Sequence, residues 1–335
     1  MPITEVRKDP GTLTLTVIAE YPVPVRRVWD AYCDPRQLEK FWGPPEWPAT
    51  FTRHDMTQGG RSDYRMTGPQ GESSHGYWEF LLVEAPRRFE VIDGFAHPDG
   101  SPNVELPTTR MSVGFEPIGE GSRVTTVSTF NSLDELEELV RMGMEEGLRT
   151  AMAQIDAVVA DLSSFAAGNA VQAQILGDTQ VRTGRVIRGD LTDVWRAHHD
   201  PDIMKRWLLG PDGWTMPVCE VAVAVGERYR YEWENDAGNR FGFTGELLAS
   251  SPPRRAVTTE ILIGGEAPVT VNEMTLTPVD GGTLLVIVIT YPSAEARDAI
   301  LGTGMVDGME TSYSRLESLL PEITQTKSSG SLPTR

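Results

Sequence analysis

Gly143-Met144-Glu145-Glu146-Gly147 lies inside a run, Ser132 to Leu162, in which Leu136, Leu139, Val140, Met144, Leu148, Ala151, Ile155 and Val158 recur at helical spacing. That run predicts one long helix with an apolar face. The same punctuation returns as Gly304-Met305-Val306-Asp307-Gly308 within Ser293 to Leu320, predicting a second such helix. Glycine inside a helix costs about 0.5–1 kcal/mol relative to alanine. A pair of glycines kept twice points to space that a side chain would fill, either for close packing on a sheet or for a cavity beside the helix.

The recurrence extends along the chain. Val194-Trp195-Arg196-Ala197-His198-His199-Asp200-Pro201 repeats Val28-Trp29-Asp30-Ala31-Tyr32-Cys33-Asp34-Pro35, matching at five of eight positions with an offset of 166 (195 − 29). Trp47 then answers to Trp214, Gly59 to Gly226, Tyr64 to Tyr231, Glu79 to Glu246 and Pro86 to Pro253, all at an offset of 167, and the offset is 161 by Met144 and Met305. Order is preserved while small length changes fall between elements, as in two copies of one domain. This gives a first domain over 11–162, a linker or helix extension over 163–178, a second domain over 179–323, and a polar, serine-rich tail over 324–335 expected to be disordered.

The chain of 335 residues is long enough for two domains, and 48 acidic against 30 basic residues leave a net charge of −18. Such a balance repels nucleic acid and anionic membranes. With neither a span of about 18 apolar residues nor a signal-peptide pattern, the expected location is cytoplasmic. Two cysteines, Cys33 and Cys219, are too few for a disulfide framework.

Within the first copy, Leu13 to Val17 alternates as a strand after a short tail. Val25 to Asp34 and Leu38 to Trp42 form a pair of short helices, and strands follow over Ala49 to Met56, Arg61 to Met66, Ser74 to Val83, Phe89 to Phe95, Thr109 to Phe115 and Val124 to Phe130. Short helices, a meander and a long closing helix make an α+β domain whose sheet wraps that helix.

Val28-Trp29 with Asp34-Pro35, Phe41-Trp42-Gly43-Pro44, Gly59-Gly60, Pro86-Arg87-Arg88 and Gly143-Met144-x-x-Gly147 together resemble the AHSA1-like group of the SRPBCC (START and Bet v 1-like, helix-grip) superfamily. The second copy resembles it through Val194-Trp195, Asp200-Pro201, Trp207 with Gly210-Pro211, Gly226, Pro253-Arg254-Arg255 and Gly304-Met305-x-x-Gly308. The resemblance implies two helix-grip domains, each a curved antiparallel sheet around a long C-terminal helix with a hydrophobic cavity between. It also implies binding of a small apolar or aromatic molecule without a cofactor. Two further roles follow from it: a polyketide cyclase, aromatase or dehydratase, and a protein-binding module like the Hsp90 cochaperone domain for which the group is named.

Strand alternation turns Tyr64, Met66 and Trp78 toward the helix in the first copy, and Tyr231 and Trp233 in the second, while His75, Tyr77 and Glu79 face outward. With Met144, Gly147, Met305 and Gly308 they form a candidate cavity lining; the alternative is a filled core. Trp42, Trp47, Trp207 and Trp214 fall in Pro- and Gly-rich segments at the expected cavity mouth, as gates or as lids on the core. Asn272, in line with Met274 and Leu276, would be a buried amide in need of partners. If the protein is an enzyme, Tyr64, His54 and Asn272 are the candidate proton-handling groups. His198 and His199 are adjacent and no paired ligand spacing occurs, so no metal site is expected. A protein partner or homo-oligomer remains open.

Overall fold

The computed structural model describes residues 2–160, 170–210, 212–265 and 269–329. Contacts divide the chain into two units, Met1–Phe165 and Ala166–Arg335. Each contains an eight-stranded antiparallel sheet, two short helices after its second strand, and a broken helical pair at its end.

In the first unit the strands are β1 (Ile3–Asp9), β2 (Thr14–Tyr21), β3 (Ala49–His54), β4 (Arg61–Thr67), β5 (Ser73–Glu84), β6 (Arg88–Ala96), β7 (Thr109–Ile118) and β8 (Gly121–Thr129). Their order is β1-β2-β8-β7-β6-β5-β4-β3, a meander closed by pairing the early β2 with the late β8. The short tail expected before the first strand is therefore an edge strand. Its alternating charges, Glu5, Arg7, Lys8 and Asp9, suit an edge that only β2 pairs.

The run from Ser132 is two helices, α3 (Leu133–Arg141) and α4 (Met144–Ala160), after α1 (Val25–Cys33) and α2 (Pro35–Leu38). The predicted single helix is broken at Gly143, whose φ of +97° lies in the left-handed region that glycine enters without a side-chain clash. Ser132 caps α3 by accepting from the Glu135 N–H at 3.2 Å. The concave face of the sheet packs on α1 and α4: Trp29 meets Phe115 edge-on at 5.3 Å, and Tyr32 meets Phe115 at 5.4 Å. Leu148, Ala151, Met152, Ile155, Val158 and Val159 give α4 its buried face. The Tyr21 hydroxyl donates to the Met152 carbonyl at 2.7 Å, tying β2 to that helix.

The second unit repeats the plan with β9 (Gln172–Ile175), β10 (Gln180–Ile187), α5 (Leu191–Ala197), α6 (Pro201–Trp207), β11 (Trp214–Glu220), β12 (Arg228–Asn235), β13 (Arg240–Ser251), β14 (Arg255–Leu262), β15 (Thr270–Val279), β16 (Gly282–Thr290), α7 (Ala294–Leu301) and α8 (Met305–Ser329). Gly304, at φ +80°, makes the same break as Gly143. Part of the expected linker, Gln172–Ile175, is an edge strand on β10. The helix α8 runs to Ser329, through the first part of the expected tail. The remainder of both stretches, 163–169 and 330–335, and Pro211 lie outside the described residues. Arg185 is buried beneath α8, where Glu317 and Glu310 hold its guanidinium at 3.1 and 3.2 Å. Among the described residues no helix is long and apolar enough to cross a membrane.

Candidate functional site

Three strands of the first sheet place Trp78, Asp93 and Thr109 side by side, since Trp78 pairs with Asp93 and Asp93 with Thr109. On β6, Phe89, Val91 and Asp93 alternate onto the concave face, so the last of them carries a carboxyl into an otherwise apolar wall. Tyr64, from β4, donates its hydroxyl to Asp93 Oδ1 at 3.3 Å.

Tyr64, Asp93 and Thr109 border a cavity of about 440 Å³ between the sheet and the α3–α4 break. Trp42, Trp47, Tyr64 and Met66 line one side, and Leu139, Met142, Met144, Gly147 and Leu148 line the other. An added Cβ at Gly147 would meet no atom within 4 Å, so this glycine leaves room in the cavity rather than closing a helix contact. Gln154 donates to the Gly43 carbonyl at 2.8 Å and the Phe41 carbonyl at 3.1 Å, which pins the segment carrying Trp42 to α4. Trp42 in turn stands edge-on to Trp78 at 4.6 Å and perpendicular to Tyr64 at 6.3 Å.

Burial pushes the Asp93 carboxyl up to about 7; the Tyr64 hydroxyl and the Trp78 indole N–H pull it down without cancelling that effect. Burial first, and the Asp93 charge second, hold the Tyr64 hydroxyl well above the ordinary tyrosine value. The Trp42 and Trp78 indole N–H groups are directed at the Tyr64 hydroxyl and the Asp93 carboxyl, while the Thr109 hydroxyl beside them is buried without a hydrogen-bond partner. A group of this kind in a polar corner calls for a ligand atom or water.

Of the first-copy candidates, Trp42, Trp47, Tyr64, Met66, Met144 and Gly147 come together at the cavity, and Trp78 lies buried behind Tyr64. His54 stands apart from it. Its Nε2 is 2.8 Å from the Tyr32 carbonyl, which requires a proton there and leaves Nδ1 to accept from Ser62 Oγ at 2.8 Å. Nε2 thus ties β3 to α1 and Nδ1 ties it to β4, and His54 has no nitrogen free for a substrate. Tyr77, expected on a solvated face, is buried on that face by the Arg61 guanidinium 4.4 Å above its ring.

In the second unit Trp207 is a core residue rather than part of a mouth: its Nε1 donates to the Ala197 carbonyl at 2.9 Å and its ring stacks on Tyr313 at 5.4 Å. Trp214 and Trp233 pack against Phe241 at 5.0 and 4.9 Å, with Tyr231 6.3 Å from Trp233. Trp233 Nε1 is used by the Leu208 carbonyl at 2.6 Å. Met305 Sδ lies 3.9 Å from the Tyr291 hydroxyl, while Gly308, like Gly147, has no atom within 4 Å of an added Cβ. Asn272 and Tyr229 are hydrogen-bonding neighbours of Glu260, whose carboxyl burial pushes upward. Glu260 pairs with Thr270 as Asp93 pairs with Thr109, and the Thr270 hydroxyl and Asn272 Oδ1 are again unpartnered.

Sequence reasoning overlooked both acids. The signal was an acid in the apolar register of a strand, at Asp93 and again at Glu260, separated by the offset of 167 found for Tyr64 and Tyr231.

A family model described as "Activator of Hsp90 ATPase homolog 1-like protein" matches residues 22–160 and 190–321. The chain belongs to this AHSA1-like family, twice over. Protein Ms6760 from Mycobacterium smegmatis is 48% identical over 47% of this chain and 96% of its own, with a TM-score of 0.45. A protein from Arthrobacter aurescens is 46% identical over 47% of this chain and 91% of its own, with a TM-score of 0.46. DynU16, from the dynemicin biosynthetic locus, is 14% identical over 93% of this chain and all 100% of its own, with a TM-score of 0.34. No curated protein matches the chain.

Proposed function

We propose that the first AHSA1-like unit binds a small, mostly apolar or aromatic molecule in the cavity beside the α3–α4 break, without a cofactor. A volume of about 440 Å³ falls within the range of small-molecule sites. The observation that carries the reading is the polar corner in an apolar wall, where the buried Asp93 carboxyl borders the cavity and the Thr109 hydroxyl beside it has no hydrogen-bond partner. Gly147 supports it too, because the helix forgoes a side chain where nothing else occupies the space.

The Tyr64–Asp93 contact favours a second reading. A carboxyl that changes protonation near neutral pH and touches a tyrosine hydroxyl can move a proton to or from a bound molecule, as a cyclase, aromatase or dehydratase would require.

Native mass spectrometry of the protein purified from its host tests the binding reading. The expected result is a retained small molecule, one per chain. A clean apo mass, together with tryptophan fluorescence that does not respond to aromatic alcohols, ketones or amines, would overturn it. Turnover of the retained molecule, lost in Asp93→Asn, would select the enzyme.

A further inference from the structure

Resting on that binding reading, we infer that the cavity is built for an organic cation: an amine whose ammonium group pairs with the Asp93 carboxylate while its body lies among Trp42, Trp47 and Tyr64. Among the described lining residues there is no Lys or Arg, so an anionic ligand would find no counter-charge. An ammonium finds one at Asp93, and the aromatic rings nearby add the attraction of their electron-rich faces. The hydrogen bond from Tyr64 does not offset the burial of the carboxylate, and a cation beside it would. The net charge of −18 acts in the same sense over a longer range, concentrating cations and depleting anions around the protein. The unpartnered Thr109 hydroxyl would serve an oxygen elsewhere on the ligand.

Protonation gives the inference a signature. Tyr64 from β4 faces Asp93, and Tyr77 from β5 lies near it on the other face of the sheet; both are held upward and so neutral through the physiological range, while α3 and α4 contribute only Leu139, Met142, Met144, Leu148 and other uncharged groups to the lining. His75 also lines the cavity rim, and His75→Gln is the control for its imidazole. An ammonium selects the ionised carboxylate, so affinity should rise by up to about tenfold per pH unit below 7 and level off above it.

Calorimetric titration of the whole chain with tryptamine and its neutral counterpart tryptophol, and with phenethylamine and phenethyl alcohol, tests this at pH 5.5 and pH 8. At pH 8 each amine should bind at least tenfold more tightly than its alcohol. That preference should vanish at pH 5.5 and in Asp93→Asn, and persist in His75→Gln. Alcohols that bind as well as the amines at pH 8 would overturn the inference and leave a cavity for neutral ligands. If neither class binds at either pH, the binding reading beneath it falls as well.

Discussion

A Cβ added to Gly76 would lie 2.4 Å from Cζ of Tyr64, because the tyrosine ring lies flat across the backbone of the neighbouring strand. Phe51 packs on the same ring at 5.1 Å, so the tyrosine is confined from a second direction. The hydroxyl reaches Asp93 only because β5 carries no side chain at this point.

Gly76→Ala should therefore displace Tyr64 from Asp93 and cost about 1–3 kcal/mol, the usual penalty for overpacking. Since the Tyr64 hydrogen bond lowers the Asp93 pKa, its loss should make the carboxyl titrate higher than in the wild type. Carbon-detected NMR titration of the Asp side chains reads this directly. An unchanged Asp93 midpoint would mean that the ring stays in place.

Asp93 also sets a pH dependence of stability. Its folded-state pKa is raised from 3.8 to about 7, so the carboxyl favours folding while protonated, and that contribution is lost as pH rises through this interval. Asn is neutral throughout. Asp93→Asn should gain on the wild type between pH 4 and pH 8, by roughly 2 kcal/mol because the cavity admits water to the carboxyl. Urea unfolding at pH 4.5, 6 and 8 measures the gap; a constant difference would mark Asp93 as an ordinary solvated acid.

Local rules made most of this fold legible and left the site half hidden. The strands declared themselves through alternation and the duplication through ordered repeats, and both survive in the structure. The break at Gly143 was masked because Leu136, Leu139, Val140, Met144 and Leu148 keep helical spacing across it. Only the glycine, placed at a positive φ, ends α3. Strand β1 was missed because an exposed edge needs no apolar alternation. Trp207 and Trp42 are alike as tryptophans just before a Gly-Pro pair. What separates a core lid from a cavity wall is where the indole N–H ends, and that depends on Ala197, ten residues away.

His54 illustrates a titratable group whose partners remove it from chemistry. His54→Phe would keep ring packing near Phe51 and Phe80 but strip partners from the Tyr32 carbonyl and the Ser62 hydroxyl, which are buried. The expected loss is about 2–4 kcal/mol of stability, with Ser62→Ala costing about 1 kcal/mol. Denaturant unfolding measures both. Ligand titration of the folded His54→Phe protein should match the wild type, and a selective loss of binding would return His54 to the site.

The two glycines of the opening motif should respond in opposite ways. Gly143, at φ +97°, ends α3 in a conformation that costs an L-residue about 1–2 kcal/mol, so Gly143→Ala should lower stability by that amount even though an added Cβ meets no neighbour. Gly147 lies within α4, where the same open space surrounds it but the backbone is helical. Gly147→Ala should therefore be neutral or gain about 0.5–1 kcal/mol from helix propensity. The added methyl group projects toward the cavity, so the stabilised protein should bind its ligand less well, and Gly147→Leu should weaken binding further by filling the space. Thermal unfolding and ligand titration on the three variants separate the two roles. A Gly147→Leu protein that stays folded and binds as tightly as the wild type would show that the ligand lies elsewhere.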